Sequence, residues 1–367
     1  MAIRNYIFAG ILLCLLIMLR MISVKQYPGI RWQRILLQVT GIFLSVTLIL
    51  AIILFPGLAG IQTTGPYDPR NVTIQMNDAS RVETYRDDHR ERKLSVTIYY
   101  PGDSRIPAKS SPLIVFSHGG ISVKTSNTSL FTELASHGYV VASIDHTYQS
   151  LHTQIDGRTI WIDPDYMRDL NAEDSHQDIE HSLRLYQEWL TIRMGDIHFV
   201  IDSLIEETDE LDKAYRTLIN PEKIALSGHS LGGSAVLGVA RQRTDINAVL
   251  VLEAPYLYDI TGIDGNDFTW NTEPYNCAVM NVYSDSGYPL LFSDHKYVQN
   301  ANHLAQNSVT AVHYIQGSNH FTLTDLVRTA PVVCRLLGGP YEKSGYATLQ
   351  SLNVAALGFF EQHLRQE

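Results

Sequence analysis

The chain has 367 residues, of which 45% are hydrophobic and 18% charged, the balance of a globular protein with a sizeable core in one large domain or two small ones. Its formal net charge of −10 argues against nucleic acid as a partner, because binding phosphates needs clustered Lys and Arg. The same acidity excludes general attraction to anionic lipid, except where basic residues are locally concentrated.

Such a concentration stands at the start. Residues 6–22 open with "YIFAGILLCLLIML", apolar but short for a span, and residues 35–55, "ILLQVTGIFLSVTLILAIILF", are long enough to cross a ~30 Å hydrocarbon core. Between them Arg20, Lys25, Arg31 and Arg34, with Trp32, form a basic loop. The positive-inside rule places that loop in the cytoplasm and everything after about Pro56 outside. The expectation is a transmembrane helical hairpin over residues 1–60, anchoring an extracytoplasmic domain over residues 61–367. A signal peptide in the first segment, or a cut near residues 57–60, stays open as the alternative.

"TTGPYDPR" (residues 63–70) reads as a turn-rich linker. Beyond it, short apolar strands at 94–100, 113–118, 140–145, 224–228, 248–253, 279–284 and 311–315 alternate with helices at 130–137, 178–207, 231–241 and 346–363. Runs such as "PLIVF" and "AVLVL" are apolar throughout, as in strands covered on both faces of a parallel sheet. The pattern implies a three-layer α/β fold with right-handed crossovers and a mostly parallel central sheet. Residues 146–173 and 255–276 fit no regular element and read as caps or binding loops. The acidic run at 206–212 reads as an exposed helix end. Cys277 and Cys334 are the cysteines outside the apolar start; pairing and free buried thiols are both open.

"GHSLGG" (residues 228–233) matches G-x-S-x-G between an apolar strand and a helix of small residues. A strand–turn–helix elbow there holds Ser230 at a helix N-terminus, while Gly228 and Gly232 let strand and helix approach closely. No G-K-[ST] follows, so a phosphate loop is disfavoured. A serine hydroxyl needs a base beside it. His320, in "IQGSNHFTL", follows the last strand on a loop that could swing its ring over Ser230. His313 lies inside a strand, His363 on the last helix, and His295 and His303 at ordinary surface positions. For the acid that orients the base, Glu253 and Asp285 each end a strand; Asp259, Asp264 and Asp267 fit less well. The backbone N–H of Leu231 and that of Gly120, after "VFSHGG", are the candidate donors to an oxyanion, with His118 packed behind the loop. Aromatics in "WIDPDYM" and "PYLYDI" would line an acyl pocket or pack a cap. His176 and His181, five apart, face different sides of a helix start, so neither a metal nor an organic cofactor is expected.

On "TGPYDP", "VFSHGG", "LASHGYVVASIDHTY", "EKIALSGHSLGG" and "GSNHFTLTDL", residues 64–325 resemble the platelet-activating-factor acetylhydrolase family of α/β-hydrolases and, more distantly, the cutinases. The resemblance implies a serine esterase working through an acyl-enzyme on short-chain esters of phospholipid-like or small amphiphilic substrates. It marks Ser230, His320, and the backbone of Gly120 and Leu231. It puts Glu253 where the family carries Asp, and this departure keeps Asp285, nearer the cutinase-like position, open. Rival readings are an acyltransferase on the same fold and a hydrolase-like ligand sensor without turnover.

Overall fold

Strands that are apolar on both faces can only be satisfied between two layers of helices, and the computed structural model shows that arrangement; it describes residues 10–17, 19–20, 31–56, 60–206, 214–306 and 310–365. The strands, in chain order, are β1 (Pro69–Val82), β2 (Glu91–Pro101), β3 (Ser111–Ser117), β4 (Val140–Asp145), β5 (His152–Ile155), β6 (Arg158–Trp161), β7 (Ile219–His229), β8 (Ile246–Leu252), β9 (Ile260–Asp264), β10 (Asp267–Trp270), β11 (Ala278–Tyr283) and β12 (Thr310–Tyr314). Eight of them form one sheet in the order β1-β2-β4-β3-β7-β8-β11-β12. The β1–β2 and β2–β4 pairs are antiparallel, and all pairs from β4 to β12 are parallel.

Alternation along each strand divides the core. Leu113 and Val115 of β3 join the cluster under helices Ile179–Ile205 and Leu231–Gln242. Ile114 and Phe116 point to the opposite face, against helices Thr128–Ser136 and Gly345–Leu364. All four are fully buried, each contributing about 1.5–3 kcal/mol relative to exposure. The C-terminal ends of the parallel strands therefore share one edge, where loops from β3, β7, β8, β11 and β12 meet.

Several sequence expectations are corrected. The stretch at 63–70 is docked rather than loose: Thr64 N–H donates to Glu133 Oε2 (3.0 Å) and Tyr67 N–H to Ser136 O (3.0 Å). Strand β1, which begins there, went unseen because most of its residues are exposed or half-buried and form no apolar run. The two irregular stretches carry the hairpins β5–β6 and β9–β10, and the first also carries helix Pro164–Ala172. Tyr166 and Tyr256 from these stretches are buried in the main core cluster, whereas Trp161 is exposed. His303 is buried, stacked on Tyr256 at 4.6 Å. Cys277 and Cys334 are free and buried.

Among the described residues one helix is long and apolar enough to cross a membrane, Ile35–Leu54, with mean hydropathy 2.4 and 11% of its span buried. Residues 10–17 are helical, and Leu19 packs against Gly41. The rest of the first expected span, most of the basic loop, and nearly all of the acidic run fall outside the described residues, so the second arm of the expected hairpin is not established.

Candidate active site

Ser230 caps helix Leu231–Gln242 with φ 52° and ψ −127°, a left-handed conformation that costs a non-glycine residue on the order of 1–3 kcal/mol. Two backbone bonds hold it there: its N–H donates to Leu252 O (2.9 Å) on β8, and its carbonyl accepts from Ser234 N–H (3.1 Å). The elbow depends on absent side chains. A Cβ on Gly228 would stand 2.4 Å from Gly232 O, and one on Gly232 would stand 2.1 Å from Ser117 O.

His320 opens a short 3-10 helix, His320–Leu323. The loop is pinned, not swinging. Asn319 accepts from the N–H groups of Phe321 (3.1 Å) and Thr322 (3.0 Å), and its amide donates to Gly339 O (2.8 Å). His320 N–H donates to Ser286 Oγ (2.8 Å). Beneath the ring lies His229, its centroid 4.4 Å away and its Nε2 at 3.1 Å from His320 O. Burial, followed by proximity to His320, holds the His229 ring well below the ordinary histidine range, so it is a neutral support.

The two strand-end acids are separated by their partners. Glu253, 2% exposed, adopts φ 48° just after β8; its N–H donates to Val282 O (2.9 Å). Its Oε1 stands 3.0 Å from His320 Nδ1, and Oε2 accepts from Ser284 N–H (2.7 Å). Gly287 closes over this carboxylate, since a Cβ there would lie 2.3 Å from Glu253 Cδ. Asp285 is exposed and turned to other donors, Gly317 N–H (3.0 Å) and Tyr314 OH (2.5 Å). Asp259 is bound by Arg241 at 2.8 Å, and Asp264 and Asp267 lie in the β9–β10 hairpin.

On the other side of Ser230 runs the β3 loop. A Cβ on Gly119 would stand 3.6 Å from Ser230 Cβ. Leu231 N–H, at the first position of its helix, and Gly120 N–H have no acceptor among the described residues. His118 is buried, with Nδ1 2.7 Å from Gly119 O and Nε2 2.7 Å from Ser150 Oγ. Ser230 Oγ makes no hydrogen bond to His320 among the described residues, a looseness common in substrate-free hydrolytic sites.

One cluster has the residue types of a metal site: His176, Asp294 and His295 offer ligand atoms within 4.8 Å of one another. Both His295 nitrogens are already engaged, with Ser175 Oγ (2.7 Å) and Asn266 O (3.3 Å), and its ring stacks on His176. A cavity of about 960 Å³ lies elsewhere, between the docked stretch at residues 60–69 and helix Thr128–Ser136.

A family model described as platelet-activating factor acetylhydrolase, isoform II, matches residues 93–367. Curated relatives include the platelet-activating factor acetylhydrolases of Cavia porcellus, 24% identical over 72% of this chain and 62% of the relative, and of Bos taurus, 22% identical over 69% and 57%. The match thus spans about three fifths of those relatives. Among solved structures, a ferulic acid esterase from Streptomyces cinnamoneus superposes with TM-score 0.63 at 20% identity, over 83% of this chain and 92% of that one, a likeness of fold.

Proposed function

This chain belongs to the platelet-activating factor acetylhydrolase isoform II family, and we propose that it is a serine-type carboxylic ester hydrolase working through an acyl-enzyme. The reading rests chiefly on one pairing, His320 Nδ1 at 3.0 Å from Glu253 Oε1, beside the strained Ser230 elbow. Ser230 Oγ attacks the ester carbonyl while His320 Nε2 takes its proton; Glu253 fixes the ring and stabilises the imidazolium. The N–H groups of Leu231 and Gly120 receive the oxyanion, the first aided by its helix dipole. His320 then protonates the departing alcohol. Water, deprotonated by the same ring, attacks the acyl-enzyme and releases the acid.

The substrates are short acyl chains on phospholipid-like or other small amphiphilic alcohols, such as a 1-alkyl-2-acetylglycerophosphocholine. Two observations support an amphiphile. The apolar helix Ile35–Leu54 is fit to anchor the enzyme at a bilayer. Helix Pro331–Gly338, which lies against helix Arg31–Leu54 and is tied to the His320 loop through Gly339, leaves Leu336 and Leu337 77% and 60% exposed. An N-terminal anchor with the catalytic domain outside the cytoplasm completes the proposal.

Hydrolysis of p-nitrophenyl esters from acetate to palmitate by the detergent-solubilised full chain tests it. We expect a preference for short chains, abolished in Ser230→Ala, reduced at least about 100-fold in Glu253→Ala and changed less than about threefold in Asp285→Ala. A folded wild type inactive on every ester sinks the reading, whereas loss in Asp285→Ala in place of Glu253→Ala moves the acid.

A further inference from the structure

The loop that offers Gly120 N–H is held from behind by a buried cation. Arg193 lies within helix Ile179–Ile205, and its side chain is fully buried. Among the described residues no carboxylate pairs with it; carbonyl oxygens take that place. Its guanidinium donates to His118 O and, at 3.4 Å each, to Gly119 O and Gln149 O, while Nε donates to Gln149 Oε1 at 2.7 Å. Nη2 also donates to Tyr166 OH (3.3 Å), and that hydroxyl in turn donates to Gly120 O (3.1 Å).

Three consecutive carbonyls, those of His118, Gly119 and Gly120, are therefore drawn to the Arg193–Tyr166 side. No cis peptide occurs among the described residues, so each N–H in these planar units points opposite to its carbonyl. The N–H of Gly120 is joined to the Gly119 carbonyl, which the His118 ring holds at 2.7 Å with Arg193 Nη2 behind it at 3.4 Å; that N–H is turned away from Arg193 and has no acceptor among the described residues. Desolvating a guanidinium without a counter-ion costs several kcal/mol, and apolar packing would fill the same space without that cost. Arginine also keeps its proton under all working conditions and presents a rigid fork, which suits it to orient several carbonyls at once.

We propose that Arg193 and Tyr166 are positioning residues that fix the two peptides flanking Gly120, Arg193 behind the Gly119 carbonyl and Tyr166 on the Gly120 carbonyl, and so aim the Gly120 amide at the tetrahedral oxyanion with a permanent positive charge behind it. The inference rests on the ester-hydrolase reading above. As charge develops on the substrate oxygen, the aligned peptides and the cation behind them are already oriented, so no reorganisation is needed at the moment of reaction. Ground-state binding gains little from this arrangement; transition-state binding gains most.

The test compares wild type with Tyr166→Phe, Arg193→Lys and Arg193→Met in p-nitrophenyl acetate hydrolysis and in inhibition by an alkyl trifluoromethyl ketone, which forms a tetrahedral adduct. Tyr166→Phe removes one hydroxyl and keeps the ring packed against Trp189, so it serves if the arginine variants fail to fold. We expect Tyr166→Phe to lower kcat about tenfold and raise the ketone's Ki by the same factor, with KM within about twofold; Arg193→Lys should lie between that and the 10²–10³-fold typical of losing a donor outright. A purely structural role would not move kcat and Ki together at constant KM. An active wild type whose folded Tyr166→Phe keeps both constants overturns this inference alone. A wild type that neither hydrolyses esters nor binds the ketone overturns the hydrolase reading, and this inference with it.

Discussion

Among the described residues one Ser–His–carboxylate set stands at the strand-end edge and another lies inside the fold. The outer one is Ser230, His320 and Glu253. In the inner one Ser117 Oγ stands 2.8 Å from His146 Nε2, and His146 Nδ1 stands 2.9 Å from Asp196 Oδ2. By hydrogen-bond distance the inner chain is the more complete, since the outer serine hydroxyl is not bonded to its histidine. Everything else separates them. Ser117, His146 and Asp196 are essentially inaccessible, whereas the His320 side chain is 26% exposed. Ser117 ends a regular strand, whereas Ser230 sits on a strained elbow beside amides that have no acceptor among the described residues. Burial alone would raise the Asp196 carboxyl, but Arg92 (2.6 Å) and, after it, the bond from His146 hold it well below the usual carboxylate range. Burial pushes His146 down to about 4 despite its bond to Asp196. The inner chain is a bracket between helix Ile179–Ile205 and the end of β3. Access, strain and unengaged donors, more than the hydrogen-bond chain itself, set the proposed reactive site apart from the bracket.

The widest gap should come from the serines. Ser230→Ala is expected to lower kcat on p-nitrophenyl acetate by at least about 10⁴-fold, and Ser117→Ala by less than about threefold; equal losses would erase the distinction. Asp196→Asn comes next, because it removes the buried carboxylate that Arg92 and Arg81 share, leaving them only Glu83 and Asp78 among the described residues. Urea denaturation should show a loss of about 3–5 kcal/mol, and a loss under 1 kcal/mol would contradict the bracket.

The third effect is a slope with pH. His146, and with it His118 and His229, are held below the ordinary histidine pKa in the folded state, chiefly by burial. The unfolded chain therefore takes up protons that the folded chain refuses. Stability is whole above about pH 6.5 and falls as pH drops from there toward the folded values, by up to about 1.4 kcal/mol per pH unit for each group. His146→Asn should flatten the slope of unfolding free energy between pH 6.5 and pH 4, and an unchanged slope would remove His146 from this account.

The strands that line the site were readable because burial on both faces writes an uninterrupted apolar run, as in β3, β4 and β8. Edge strand β1 and the two hairpins were not, since exposed or very short strands carry no such run. The elbow at Ser230 and the loop of His320 stand out as local motifs. The choice between Glu253 and Asp285 is open in the sequence because both end parallel strands; their partners separate them, His320 for Glu253, and Tyr314 and Gly317 for Asp285. Arg193 and the Ser117–His146–Asp196 bracket were invisible, because their contacts join segments about 30 to 75 residues apart and no local pattern marks them.

The most direct measurement is site mapping with a fluorophosphonate, which reacts with an activated serine and mimics the tetrahedral adduct. Peptide analysis of the labelled full chain should find the adduct on the peptide carrying Ser230 and none on that carrying Ser117. A folded chain left unlabelled, or labelled on another serine, would contradict the assignment of Ser230 as the nucleophile.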